Sequence, residues 1–143
     1  MQLTQFTDYA LRTLIYIAIR DGQTCTIAEI ADSYQISKNH LMKVVQRLGQ
    51  LGVVKTLRGK GGGIVLNAKP EALNLGDLVQ QLEPHFCMVE CFDALNGKCV
   101  IAPVCQLKHV LHQATNSFIE TLQGYTLKDV IKNQAELRHV LLR

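Results

Sequence analysis

Apolar residues recur at helical spacing through most of this chain, and a short alternating stretch interrupts them. Over residues 4–19, Phe6, Ala10, Leu14, Ile17 and Ala18 fall on one stripe, and Asp21-Gly22 ends the pattern. Thr26-Ile-Ala-Glu29 has the order of a capping box, which predicts a short second helix to about Tyr34. A turn follows. Ser37 then N-caps a third helix in which Leu41, Val44, Val45, Leu48 and Leu51 share a face, with Gly52 as its C′ residue. Residues 53–57 and 64–66 read as strands joined by Arg58-Gly-Lys-Gly-Gly-Gly63, whose glycines permit a tight hairpin tip. Beyond the break at Pro70, Asn74-Leu-Gly-Asp77 caps a fourth helix through Leu82, and Glu83-Pro84 stops it. Residues 85–103 keep neither period. A long helix then spans residues 105–123, with Leu107, Val110, Leu111, Ala114, Phe118, Ile119 and Leu122 apolar. Gly124 ends it, Thr126-Leu-Lys-Asp129 opens a last short helix, and the tail is helical or frayed. The fold predicted is mainly α with a small β-hairpin.

Charge changes the picture. Residues 33–69 hold Lys38, Lys43, Arg47, Lys55, Arg58, Lys60 and Lys69 without one Asp or Glu, although the whole chain carries only +3. The remainder is therefore net negative. An acid-free basic segment calls for a polyanion. The polar face of the third helix presents Lys38, Asn39, His40, Lys43 and Arg47, weighted towards the end that a recognition helix leads into the major groove. Helix, turn, helix and basic hairpin in that order make a winged helix-turn-helix, here assigned to residues 1–70. On this reading Asn39, His40 and Lys43 face base edges, while Lys38, Arg47, Arg58 and Lys60 neutralise phosphate of double-stranded operator DNA. A nucleotide-binding loop is a poor alternative, because the glycine run precedes a strand and lacks the G-x₄-G-K-[ST] spacing.

Residues 71–143 are assigned to an irregular loop and a long dimerisation helix. That helix is too apolar to lie alone on a domain this small, so the expected state is a homodimer reading two half-sites of a palindrome. With 48% hydrophobic residues and no Trp, the interior should be helical and aliphatic. The N-terminus has no basic, apolar leader pattern and no stretch is long enough to span a membrane, so a cytoplasmic location without a membrane partner is expected. No nucleophile–base pair or acid pair stands out, which argues against an enzyme.

Five cysteines in a reducing compartment are better metal or redox candidates than disulfides. Cys25, beside the Thr26 cap, reads as a small half-buried filler. Cys91, Cys99 and Cys105 form C-x₇-C-x₅-C, which is not the paired spacing of a zinc ribbon. Three thiolates in an irregular loop just before a helix N-terminus suit a soft metal or an iron–sulfur cluster. The fourth donor stays open among Cys87, His85, His109, Asp8 and Glu90. Asp8 has a competing local role, as a first-turn carboxylate at the positive end of its helix. A zinc-thiolate or thiol-redox regulator of the same fold is the rival reading, and a cluster carrier that binds no DNA leaves the acid-free stretch unexplained.

Gln5-Phe-Thr-Asp-Tyr-Ala-Leu-Arg12, Ser37-Lys-Asn-His-Leu-Met-Lys43, Arg58-Gly-Lys-Gly-Gly-Gly-Ile64 and the cysteine loop together resemble the winged-helix regulators of the NsrR and IscR family, over nearly the whole chain. The DNA-reading motifs are common to that family. Asp8 combined with Cys91, Cys99 and Cys105 resembles its nitric-oxide-sensing repressor branch, NsrR. The resemblance implies a 4Fe–4S cluster, with 2Fe–2S as the alternative, held by the three cysteines and by Asp8 of the partner subunit. It implies nitric oxide as effector. Two positions depart from the pattern: Lys108 stands where the IscR-like branch has histidine, with His109 next to it, and Cys87 is an additional thiol.

Overall fold

The apolar stripe of the first helix becomes the axis about which the other elements pack. The computed structural model describes residues 2–86, 88–93 and 97–142. Its elements are α1 (Gln5–Ala18), α2 (Ile27–Tyr34), α3 (Lys38–Gln50), β1 (Val54–Leu57), β2 (Gly63–Leu66), α4 (Leu75–Leu82), α5 (Gln106–Gln123) and α6 (Gln134–Leu141), with short 3-10 turns between some of them. Ala10, Leu14 and Ile17 of α1 are buried, and the helix packs against α3 on one side and α4 on another. Thr4 caps α1 by accepting the Thr7 N–H at 3.3 Å. The Glu83 carboxylate in turn accepts the Thr4 N–H at 2.7 Å and its hydroxyl at 3.1 Å, mooring the start of α1 to the end of α4.

The helix-turn-helix forms as its caps dictate. Thr26 and Glu29 close the capping box at 3.2 Å and 2.6 Å. Gln35 terminates α2 in the left-handed region with φ 54°, and Ile36 turns inward to be buried. Leu41, Val44, Val45 and Leu48 of α3 are buried against α1 and α2. Each such side chain taken from water contributes about 1.5–3 kcal/mol. β1 and β2 pair antiparallel from Val54↔Leu66 to Leu57↔Gly63. An isolated two-stranded ribbon is marginal in water. Here Cys25 supplies a third edge: its N–H donates to the Ile64 carbonyl at 3.1 Å, and the Ile64 N–H donates back at 2.7 Å. Cys25 is thus fully buried and pairs with the wing, a role that the expectation of a half-buried filler did not include.

The core is continuous across residue 70. Leu73, Leu75, Leu78 and Leu82 join it from around α4, and Leu127, Ile131 and Leu141 from the C-terminal region. The helix expected to open at Thr126 is instead a turn followed by a 3-10 segment, Asp129–Ile131. The cause is tertiary: Thr126 bridges Asn74, and the Leu127 N–H donates to the Leu73 carbonyl at 2.8 Å, holding this stretch extended against α4. The tail forms α6, which returns to the head. Arg138 donates to the Ile19 carbonyl at 2.6 Å and pairs with Asp21, and the Ser33 hydroxyl donates to the Leu141 carbonyl at 2.8 Å.

The long helix divides in two. Thr115 and Ile119 are buried where α5 packs on α4, whereas Leu107 and Val110 remain 62% and 60% exposed near its start. Val100, Ile101 and Val104 extend that exposed apolar strip into the preceding loop. Among the described residues, no helix is long and apolar enough to cross a membrane.

Candidate nucleic-acid interface and thiol loop

Burial of one face of α3 leaves Lys38, Asn39, His40, Met42 and Lys43 exposed on its leading turns. Ser37 occupies the N-cap position, as expected, but its hydroxyl makes no capping bond, and no acid stands in the first turn. The first N–H groups of α3 therefore point outward without a side-chain acceptor, the arrangement that favours an anion. Arg58 and Lys60 lie exposed at the wing tip, and the Thr24 hydroxyl holds that tip by donating to the Gly61 carbonyl at 3.0 Å.

Two of the basic and polar candidates face elsewhere as well. The His40 ring lies 6.2 Å from that of Tyr9, so it borders α1. Arg47 donates to the Gln81 carbonyl at 3.1 Å and so braces the end of α4. Neither contact could be read from helical spacing, since each joins elements far apart in the chain.

The thiol loop is a chain of short turns. Cys91 is half-buried in a 3-10 turn (Glu90–Phe92), Cys99 is exposed, and Cys105 is half-buried at the N-cap of α5, which has no side-chain cap. The Gly97 N–H donates to the Asp93 carbonyl at 2.9 Å and the Lys98 N–H to the Glu90 carboxylate at 3.0 Å. Phe92 packs edge-on to His112 at 5.7 Å, tying the loop to α5. Between them lies an open cavity of about 380 Å³ lined by Cys91, Phe92, Lys108 and His112 among others. His85 and His109 are exposed, and Cys87 lies outside the described residues.

Asp8 does not join the cysteines within one chain. Its carboxylate pairs with Arg12 at 2.8 Å, and that guanidinium lies over the Tyr34 ring at 6.0 Å. Among the described residues no three His, Cys, Asp or Glu side chains gather closely enough to hold a metal ion. The four cysteines described are free thiols. Burial pushes the Cys25 thiol up to about 11, so it stays protonated and chemically inert. Arg12 and Met42 stand beside candidate residues without having been candidates themselves. Met42 carried a local signal, an apolar side chain off the buried stripe of α3, and so did Arg12, four residues after Asp8 on the same helix.

Comparison with known proteins gives this geometry a family. Residues 3–133 match the Rrf2 family model, described as an iron-dependent transcriptional regulator. The HTH-type transcriptional regulator NsrR of Bacillus subtilis is 52% identical over 142 residues, covering 99% of this chain and 97% of that protein. NsrR of Halalkalibacterium halodurans is 44% identical with 99% and 97% covered. Among solved structures, CymR, the global cysteine regulator of B. subtilis, superposes with a TM-score of 0.71 at 25% identity, covering 91% of this chain and 95% of that one. IscR of T. potens shares the fold, with a TM-score of 0.73 at 23% identity over 96% and 91% of the two chains. The relatives named are transcriptional regulators and not enzymes. The chain belongs to the Rrf2 family of transcriptional regulators.

Proposed function

We propose that this regulator is a nitric-oxide-responsive iron–sulfur repressor that binds palindromic operator DNA as a homodimer in the cytoplasm. The observation that carries the proposal is the pairing, in one chain, of an acid-free reading surface on α3 and the wing with three free thiols in the loop that leads into α5. NsrR relatives, one of them 52% identical, support the same reading.

The donor chemistry fits a cluster. Three unpaired thiols lie within one loop, and Cys105 stands at the N-cap of α5, which has no side-chain cap. Cys91, Cys99 and Cys105 would hold a cluster, 4Fe–4S by family likeness. By the same likeness Asp8 of the partner subunit would be the fourth donor; in its own chain Asp8 pairs with Arg12. When bound, the cluster supplies iron that reacts with nitric oxide.

The rest falls to the polypeptide. Asp8 stands on α1, and α1 packs directly on α3. A carboxylate engaged across the dimer fixes α1, and with it the separation of the two α3 helices. A carboxylate returned to Arg12 releases that constraint. A few kcal/mol of differential affinity between the two arrangements is enough to switch operator occupancy. The reading head of residues 1–70 and the sensing and dimerising part of residues 71–143 are proposed as a division of labour over one shared core. Within the head, Asn39, His40 and Lys43 are assigned to bases and Lys38, Arg47, Arg58 and Lys60 to phosphate.

The test is anaerobic. Protein loaded with cluster, protein stripped of it and the Asp8→Ala variant are titrated with nitric oxide while absorbance and operator binding are followed. Tight binding only by the loaded wild type, lost on titration, is expected. Equal binding by loaded and stripped protein would end the sensor reading. The exposed Cys99 favours one rival, a thiol-redox or zinc-thiolate regulator. Colourless anaerobic protein containing zinc would select it.

A further inference from the structure

Met42 is 54% exposed, yet it lies on the reading helix among polar side chains. Its neighbours one turn away are Lys38 and Asn39 on one side and Gln46 on the other, with Lys43 beside it, all of them exposed. It is not overflow from the core, because the buried face of α3 is already filled by Leu41, Val44, Val45 and Leu48. A long thioether left in water at that place keeps its apolar surface open to whatever the reading face meets.

The charge around it selects the surface. Residues 33–69 are basic without one acid, which disfavours a second copy of the same face and favours a polyanion. In the major groove of DNA, the apolar group presented to a recognition helix is the C5-methyl of thymine. An unbranched, polarisable side chain can follow such a methyl without demanding a single rotamer.

We propose that Met42 is a specificity-determining residue that reads a thymine in each half-site through contact of its side chain with the thymine C5-methyl. The proposal rests on the operator reading above and adds a base to it: Asn39 and Lys43 supply polar readout, and Met42 supplies the apolar readout between them. Because its side chain is exposed and alanine is a strong helix former, Met42→Ala leaves α3 intact.

The experiment begins with a duplex that the wild-type protein, kept free of air, recovers from a random-sequence pool. Each thymine of one half-site is then replaced singly by deoxyuridine, which lacks only the methyl. One position is expected at which wild-type affinity falls about fourfold, the worth of one buried carbon. Met42→Ala, which removes the contact from both half-sites of the dimer, should bind the parent duplex about 16-fold more weakly, as wild type binds a duplex modified at that position in both half-sites, and should no longer distinguish thymine from deoxyuridine there. Met42→Leu should keep most of the discrimination. If no deoxyuridine weakens wild-type binding, or if Met42→Ala retains the full penalty, the assignment is wrong while operator binding stands. If no sequence is recovered at all, the operator reading falls and this assignment falls with it.

Discussion

At Gly63, a Cβ would stand 2.6 Å from the Cys25 carbonyl oxygen and 3.0 Å from the Thr24 Cβ. That carbonyl is the acceptor of the Ile64 N–H, so relief of the clash must break the bond that secures the wing. Gly63→Ala is therefore expected to destabilise the protein by about 2–3 kcal/mol, read as a lower urea midpoint with an unchanged slope. A midpoint equal to wild type would mean that the close approach is not rigid. Cys25 itself leads to a second expectation. Its thiol is raised to about 11 by burial, and Cys99 is exposed. Alkylation of the native protein at pH 8, mapped by peptide mass, should mark Cys99 within minutes and Cys25 only after denaturant is added. Equal labelling of the two would contradict the burial. Neither contact was readable in the chain itself, because Cys25 meets Gly63 and Ile64 across almost forty positions, beyond any local pattern.

Elements behave as their ends dictate, and one end is sensitive to pH. Asp129 accepts the Thr126 N–H at 2.9 Å and its hydroxyl at 2.8 Å, and it pairs with Lys132 at 2.9 Å. The Thr126 backbone bond, then the Lys132 ammonium, then the Thr126 hydroxyl hold its carboxyl well below the usual carboxylate range. A carboxyl depressed on folding stabilises above its unfolded pKa, and that support is lost as the pH falls through the folded value. Wild type should thus lose Tm relative to Asp129→Asn between about pH 5 and pH 2, with the two converging at the acid end. A constant gap across that window would remove Asp129 from the account. The helices of the head were legible for the same reason that this turn was partly legible: capping pairs three residues apart leave their signature in the sequence. What could not be read was that Thr126 is pinned to Asn74, which turned an expected helix into a 3-10 segment.

For the whole molecule, the exposed strip from Val100 to Val110 is the feature that needs a partner. Leu107 and Val110 stand 62% and 60% exposed on a helix whose other half is already covered by α4. A second copy seated on this strip would link two reading heads. The double variant Leu107→Glu/Val110→Glu should sediment as a monomer with an unchanged helical spectrum. It should also bind a two-half-site duplex about 100-fold or more weakly, because the linked second contact is lost. A variant that remains dimeric would place the interface elsewhere. The same arrangement bears on the thiol loop, since Asp8 and the three cysteines do not meet within one chain.

Read alone, the sequence determined where α1 to α5 and the hairpin lie, which face of α3 is polar, that residues 33–69 carry no acid, and that three thiols precede α5. Those properties are local: periodicity, caps and charge runs act over a few residues and need no knowledge of what packs above them. The tertiary structure alone decided that Cys25 extends the wing, that Arg47 braces α4 and that Met42 is left bare on the reading face. Each of these depends on which surfaces have been filled by distant parts of the chain. Burial competes for every apolar face and every hydrogen-bonding group at once, and one stretch of sequence does not disclose the outcome of that competition.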